Sequence, residues 1–383
     1  MDNYDVIVIG AGSIGVPIAL VLAEKRIKVL VIDALSSPGQ GQNKRAIGGI
    51  RATHSDKGKI TVCHLSIKIF STWKEKYGDH IGWIKNGYSF PAYTKKDEKK
   101  LKALLKIQKS FGLNIDWISA EEYKELVPGI NENGLQGATY SPDDGSASPL
   151  LANSAFYFKS LEFGGKYKFK EKVVDIKVKK NNPIKVVTNK GNYHCNFVVN
   201  ASGNNAKEIG KMVNLDLPVV PDSHEGGITE PVERFFGPMI VDMRPTKDSA
   251  NFYFYQNNEG QVIFCITPKP PIYGTDCDST SLFLPQVAGR MVELFPKLAN
   301  IKVRRTWRGQ YQMTPDGFPI VGALKETPNF INAVGMCGQG FMLGPGLGEL
   351  IYRIISNELS EEDREILKHF DLYRDFSQME QFK

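Results

Sequence analysis

Five cysteines are scattered through 383 residues, and no two are spaced as C-x-x-C. Cys63, Cys195, Cys265, Cys277 and Cys337 therefore read as reduced thiols rather than as a disulfide framework or a zinc site. No apolar run approaches the roughly 20 residues that a membrane-spanning helix needs. The chain passes at once into its first apolar segment, which leaves no stretch resembling a signal peptide. A cytoplasmic protein without a transmembrane segment is the expectation. Internal repeats and low-complexity tracts are lacking, as are helix-turn-helix, RNA-recognition and zinc-finger patterns, so nucleic acid is not an expected partner. Charge of one sign does not dominate: 48 Lys+Arg stand against 42 Asp+Glu. Much of the excess falls between Lys95 and Lys109, where seven lysines share a segment with Leu101, Leu104 and Leu105 at helical spacing. A solvated face of an amphipathic helix accounts for them. With 42% hydrophobic residues, the chain is long enough for about two domains with a substantial core.

What the chain has is glycine, placed to a purpose. Val6 to Ile9 reads as a buried strand and runs into Gly10-x-Gly12-x-x-Gly15, after which a helical pattern extends through Ala23. A second strand, Val29 to Ile32, ends at Asp33. This is the order of a βαβ dinucleotide site. Gly10 permits the turn, Gly12 lets a pyrophosphate approach the backbone, and Gly15 lets helix and strand pack closely. The helix N-terminus attracts the pyrophosphate, and Asp33 is placed to accept from a ribose. The motif alone does not distinguish FAD from NAD.

The rest of the chain suggests a divided architecture. Helices are expected over 59–77, 95–109 and 151–163, with strands over 172–178, 185–188 and 197–200. From about Leu217 to Arg305 the pattern becomes short strands rich in Phe, Tyr, Ile and Pro. A strand from Phe330 to Val334 and a glycine-rich turn lead into a closing helix, and Ser360-x-x-Asp363 caps one more. The expected fold class is α/β plus β. Residues 1–86, 150–216 and 306–383 would form a discontinuous Rossmann-like nucleotide domain, and 87–149 with 217–305 an inserted, mostly antiparallel substrate domain.

Seven segments in order carry a resemblance: GAGSIG with Asp33, Arg45-Ala-Ile-Gly-Gly-Ile-Arg51, Ser141-Pro-Asp-Asp-Gly145, Val198-Val-Asn-Ala-Ser-Gly203, His224-Glu-Gly-Gly-Ile-Thr-Glu-Pro231, Thr306-Trp-Arg-Gly-Gln-Tyr-Gln-Met-Thr-Pro-Asp-Gly317 and Gly338-Gln-Gly-Phe-Met342. From Val6 to about Asn357 the chain resembles the D-amino-acid oxidase-like superfamily of FAD-dependent oxidoreductases. It is most similar to the sarcosine oxidase and L-proline dehydrogenase β-subunit branch. The resemblance implies FAD rather than NAD. FAD would be held by Gly10, Gly12, Ser13, Ile14, Gly15, Asp33 and Ala34 at the first turn, and by Arg45, Ala46 and Gly49 beyond it. Val174, Ala201, Ser202 and Gly203 would add a second contact. Gly309 with Gly338, Gln339, Gly340, Phe341 and Met342 would complete the cradle. Backbone N–H groups at the last turn would stabilise charge on an electron-rich flavin. Some relatives attach FAD through a cysteine at the position of Gly309, so the cofactor is expected to be non-covalent.

The same resemblance implies a site. Arg51 matches the arginine that holds the substrate carboxylate, which a planar guanidinium does bidentately. The alternative is an arginine that braces its loop or the FAD phosphates. Tyr311 and Tyr253 match pocket positions, with core packing as the alternative, and His224 is either a pocket or a structural residue. Sarcosine oxidases carry a carboxylate-binding lysine where this chain has Met342, as the proline dehydrogenase-like branch tolerates. The lysine that activates oxygen in related oxidases is matched by Phe264, which favours a dehydrogenase. Gln339 replaces a commoner histidine. The expected reaction is oxidation of an amino acid or secondary amine, such as proline, sarcosine or glycine, by hydride transfer from substrate carbon to flavin N5 to give an imine. The alternatives are a 2-hydroxy acid or glycerol-phosphate dehydrogenase, or a flavin subunit that works with partner subunits or an electron carrier.

Overall fold

The computed structural model describes residues 3–178 and 183–380. Val6, Ile7 and Val8 are fully buried on both faces of their strand, as the apolar run demands of a central parallel strand. Strand Asn3–Ile9 lies between Val29–Ile32 and Asn192–Asn200, parallel to both, and Phe330–Val334 continues the parallel set beyond. Lys166–Lys168 closes one edge in parallel, and Ile320–Ala323 closes the other antiparallel. Strands Ile184–Thr188 and Val173–Lys177 join antiparallel beside Asn192–Asn200, which makes eight strands. Pairing Ile9 with both Asn200 and Ile32 brings the carboxyl ends of these strands to one edge. Asn200 pairs with Asn332, so the segment before the last glycine turn ends there too.

Helix Gly15–Glu24 buries every residue from Gly15 to Ala23. It packs with helices Lys57–Tyr77, Pro149–Glu162 and Gly340–Ser356 over one face of the sheet. The lysine-rich helix, Lys95–Ser110, starts at Thr94, whose hydroxyl accepts from Asp97 N at 3.1 Å. Only Leu101 and Gln108 are buried along it.

The second sheet also has eight strands, in the order Val303–Met313, Val220–Pro231, Gln261–Pro268, Ser249–Gln256, Met239–Asp242, Tyr88–Ala92, Gly137–Ser141 and Asp116–Ile118. All neighbours run antiparallel except Met239–Asp242 beside Tyr88–Ala92. Two features depart from the sequence reading. Strand Val303–Met313 pairs along its length with Val220–Pro231, so the expected boundary at 305/306 falls within a strand. Within 217–305 a helix, Phe283–Leu294, covers the sheet instead of another short strand. Phe283, Val287, Met291 and Leu294 supply its buried face, and Pro285 sits in the first turn, where a missing N–H costs nothing. Beneath it Phe252, Phe254, Phe264 and Phe295 are at most 1% exposed, each contributing about 2–3 kcal/mol by burial.

Candidate functional site

At the carboxyl edge of the parallel sheet the distant glycine turns meet. Gly10 has φ +108°, and a Cβ there would stand 2.4 Å from the Ala201 carbonyl oxygen. The first turn and the Ala201-Ser202-Gly203 turn are therefore in direct backbone contact. Ser202 Oγ donates to Asn200 Oδ1 at 2.6 Å, and Asn200 Nδ2 reaches Asn332 Oδ1 at 3.3 Å. Asp33 ties its own corner: Oδ2 accepts from Ala11 N and Oδ1 from Leu35 N, both at 2.7 Å. Each oxygen keeps a lone pair for a further donor. Ala34 beside it is exposed, and Ile14 is buried. Gly12 has nothing within 4 Å of its Cβ position, so the turn is open on that side. The closing helix crosses the first one where Gly344 lies against Ser13, whose carbonyl oxygen stands 1.9 Å from the Gly344 Cβ position. Helices Gly15–Glu24 and Gly340–Ser356 both begin without a side-chain cap.

A cavity of about 980 Å³ opens between this edge and the second sheet. Arg51, Tyr253, Tyr311, His224 and Met342 all line it. So do Ser13, Arg45, Ala46, Gly49, Gly309, Gly338, Gln339, Gly340 and Phe341. Gly10, Gly12, Ile14, Gly15, Asp33, Ala34, Ala201, Ser202, Gly203 and Val174 are not part of its lining. All of these but Val174 belong to or adjoin the glycine and Asp33 turns at the sheet edge. Val174 is 48% exposed, while Val173 packs in the core, because alternate strand residues face opposite ways.

Arg51 follows the short strand Gly49–Ile50, which pairs with Gly145–Ser146. It is 8% exposed, its Nη1 donates to the Thr53 carbonyl oxygen, and Phe90 presents its ring 6.0 Å from the guanidinium carbon. Asp144, fully buried, accepts from Ala52 N at 2.7 Å and from Thr53 Oγ1 at 2.6 Å. Burial pushes its carboxyl up to about 6 even though Arg51 and these donors favour the anion. The Ser141-Pro-Asp-Asp-Gly145 motif thus braces the arginine loop, a role that sequence reading did not assign.

Across the cavity Tyr253 and Tyr311 place their hydroxyl oxygens 2.5 Å apart. Burial raises both well above the ordinary tyrosine range, so both are neutral phenols. His224 stacks on the Tyr311 ring, with centroids 3.8 Å apart and planes at 17°, and its Nε2 faces Asp222 at 3.3 Å. Its buried Nδ1 has no hydrogen-bond partner among the described residues. Several lining residues escaped the sequence reading, among them Tyr88, which lies against Gly49, and Cys265, which sits beside the tyrosine pair. Tyr255, outside the lining, donates to the Ile47 carbonyl at 2.5 Å. Their signal was strand alternation: Tyr253 and Tyr255 share a face that Phe252 and Phe254 do not.

Alternation also corrects Phe264. That ring is 1% exposed and stacks on Phe283 at 5.9 Å beneath the helix, whereas Cys265 is the neighbour that lines the cavity. Among the described lining residues Lys269 is the one lysine. Arg45 makes loop contacts, from Nη1 to Gly41 O at 3.3 Å and from its own carbonyl to Trp307 Nε1 at 2.8 Å. A side chain at 309 would press on it, since the Gly309 Cβ position is 2.9 Å from Arg45 Cβ.

These features fit FAD. Two uncapped helix N-termini leave first-turn N–H groups for anionic oxygens, with open space at Gly12 beside them. Next to them the cavity supplies width, and His224 Nδ1 lacks a partner among the described residues, which a ligand or water can provide.

Residues 5–354 match the family described as FAD dependent oxidoreductase, DAO. Mitochondrial dimethylglycine dehydrogenase of Mus musculus is 25% identical over 91% of this chain, which spans 42% of that protein. The chain thus spans about two fifths of the length of such curated relatives. Glycine oxidase of Geobacillus kaustophilus is 24% identical, with 93% of this chain and 94% of the oxidase covered. The crystal structure of L-proline dehydrogenase from P. horikoshii superposes with a TM-score of 0.90 at 31% identity, covering 97% of each chain.

Proposed function

The chain belongs to the DAO family of FAD-dependent oxidoreductases, and from that premise we propose that it oxidises a carboxylate-bearing amino acid or secondary amine of the proline, sarcosine or glycine kind. The observation that carries this reading is Arg51, a buried guanidinium in a cavity it shares with Tyr88, Phe90, Met239, Tyr253, Tyr311 and Met342. A cation in such a setting is retained for an anionic ligand.

FAD, when bound, supplies the acceptor for a hydride leaving the substrate carbon. Everything else falls to the chain. Gly10, Gly12, Asp33 and the Ala201–Gly203 turn would hold the cofactor's nucleotide end, and Gly338–Met342 would lie by the flavin. Arg51 takes the substrate carboxylate and fixes orientation. The two carboxylates that line the cavity are already engaged: Asp222 with His224 and Ile272 N, and Glu380 with Ser55 and Lys59. Neither carboxylate is therefore offered as a general base, and the site selects the substrate with its amine already neutral. The neutral Tyr253–Tyr311 pair provides a hydroxyl contact to that amine. With Cys265 rather than a lysine on the cavity face of its strand, electrons pass to a carrier or a partner subunit in preference to oxygen.

Anaerobic mixing of the FAD-loaded protein with L-proline, sarcosine, glycine, D-amino acids, lactate and glycerol 3-phosphate tests the reading. Bleaching by one of the amino acids alone is expected. Bleaching by lactate or glycerol 3-phosphate alone would overturn it, and no bleaching by any compound would point to a subunit inactive by itself.

A further inference from the structure

Arg51 Nη1 stands 3.3 Å from Nδ1 of His54, and both residues are buried, His54 completely. A guanidinium has donors and no acceptor, so Nδ1 must present its lone pair to it. That choice puts the ring proton on Nε2, which faces Cys63 Sγ at 3.6 Å. The backbone of His54 is held as well: its carbonyl accepts from Gln108 Nε2 at 3.0 Å. Cys63 lies in helix Lys57–Tyr77 and Gln108 in helix Lys95–Ser110, so the imidazole is fixed between two rigid elements. His54 itself is outside the cavity lining.

From this geometry we infer that His54 is a positioning residue, whose Nδ1 orients the Arg51 guanidinium for a planar carboxylate. Burial, together with the charges of Arg51 and Lys59, holds the imidazole neutral well below the usual histidine range. A neutral ring is the form that this role requires, because a protonated Nδ1 would repel the arginine. With Thr53 O and His54 Nδ1 both drawing on Nη1, the arginine loses rotamer freedom before substrate arrives. The inference rests on the reading of Arg51 as the carboxylate anchor.

Binding of an unreactive planar acid, pyrrole-2-carboxylate, and of its neutral carboxamide is measured by titration of the FAD-loaded protein, beside KM and kcat for the amino acid that bleaches the flavin. Three variants separate the roles of the ring atoms. His54→Asn keeps an acceptor near Nδ1, His54→Gln moves the amide toward Nε2, and His54→Leu removes both. His54→Gln and His54→Leu are expected to bind the acid about tenfold more weakly, with KM raised alike and kcat little changed. The carboxamide should be unaffected, and His54→Asn should stay near the wild type. Equal losses in all three variants, or in acid and amide alike, would reduce His54 to a structural residue. Should His54→Leu fail to fold, the contrast between His54→Asn and His54→Gln decides. Arg51→Met is the control. If wild type and Arg51→Met bind acid and amide alike, the anchor reading falls and this inference with it. If Arg51→Met loses the acid and His54→Gln does not, only the inference about His54 falls.

Discussion

Gly338 and Tyr311 occupy adjoining space with no room for a methyl group: a Cβ on Gly338 would stand 2.3 Å from Cε2 of Tyr311. The glycine turn that opens the closing helix and the pocket tyrosine of the second sheet are thus one packed unit. Both residues line the cavity there.

Gly338→Ala should therefore damage both the turn and the cavity. Beyond the collision, φ of +81° at this position disfavours any side chain. A loss of about 2–3 kcal/mol and a lower FAD content are expected. Tyr311→Phe added to Gly338→Ala should bring no relief, because the ring remains, while Tyr311→Ala should restore part of the FAD content. Thermal midpoints with and without added FAD check both points.

Arg51→Met should raise KM for the carboxylate substrate by about a hundredfold, the scale of losing a charged, desolvated contact. FAD should remain bound at full stoichiometry, since its nucleotide end is held elsewhere. Single-turnover reduction at saturating substrate separates this from a loss of chemistry. An unchanged KM would remove Arg51 from the site.

Asp144 links stability to pH. Its folded value of about 6 lies above the ordinary carboxyl value near 4, so the folded state binds the proton more tightly than the unfolded chain. The contribution is complete below pH 4 and disappears as pH rises through 6. In Asp144→Asn that dependence is absent. Between pH 4.5 and 7 the stability of wild type relative to the variant should fall by an amount on the order of 2 kcal/mol. Urea midpoints across this range measure it, and a constant difference would show that the carboxyl is not raised.

The pair Lys59–Glu380, 3.3 Å apart with both side chains fully buried, joins the helix after the arginine loop to the last described segment. Lys59 Nζ also donates to Gly317 O at 2.7 Å. Glu380→Ala strands a buried ammonium and should cost about 3–5 kcal/mol. Lys59→Met with Glu380→Leu, which removes both charges, should cost clearly less. Denaturant titration of the single and double variants gives the comparison.

Much of the nucleotide half was legible because its signals are local. An apolar run, a glycine spacing and a terminal acid predict strand, turn, helix and strand within a single stretch, and Asn3–Ile9, Gly15–Glu24 and Val29–Ile32 appear as expected. Helix Phe283–Leu294 was hidden by Pro285 and Gly289 among aromatic strands, although its buried residues keep a helical spacing. Phe264, matched to a site lysine, faces the helix rather than the cavity, since neighbouring strand residues take opposite faces. Val174 lies exposed beside buried Val173 because alternate strand residues take opposite faces.

By itself the sequence determined that a dinucleotide turn opens the chain, and local rules of propensity and glycine geometry are enough for that. The family resemblance implied which distant segments join the FAD cradle and that Arg51 is the cation to watch. Only the tertiary structure decided that Gly10 touches Ala201, that Asp144 braces the arginine loop, and that Tyr253 meets Tyr311. Those partners lie far apart in sequence or depend on which face of a strand a residue takes. Contacts of that kind follow from register and helix packing, which no single segment encodes.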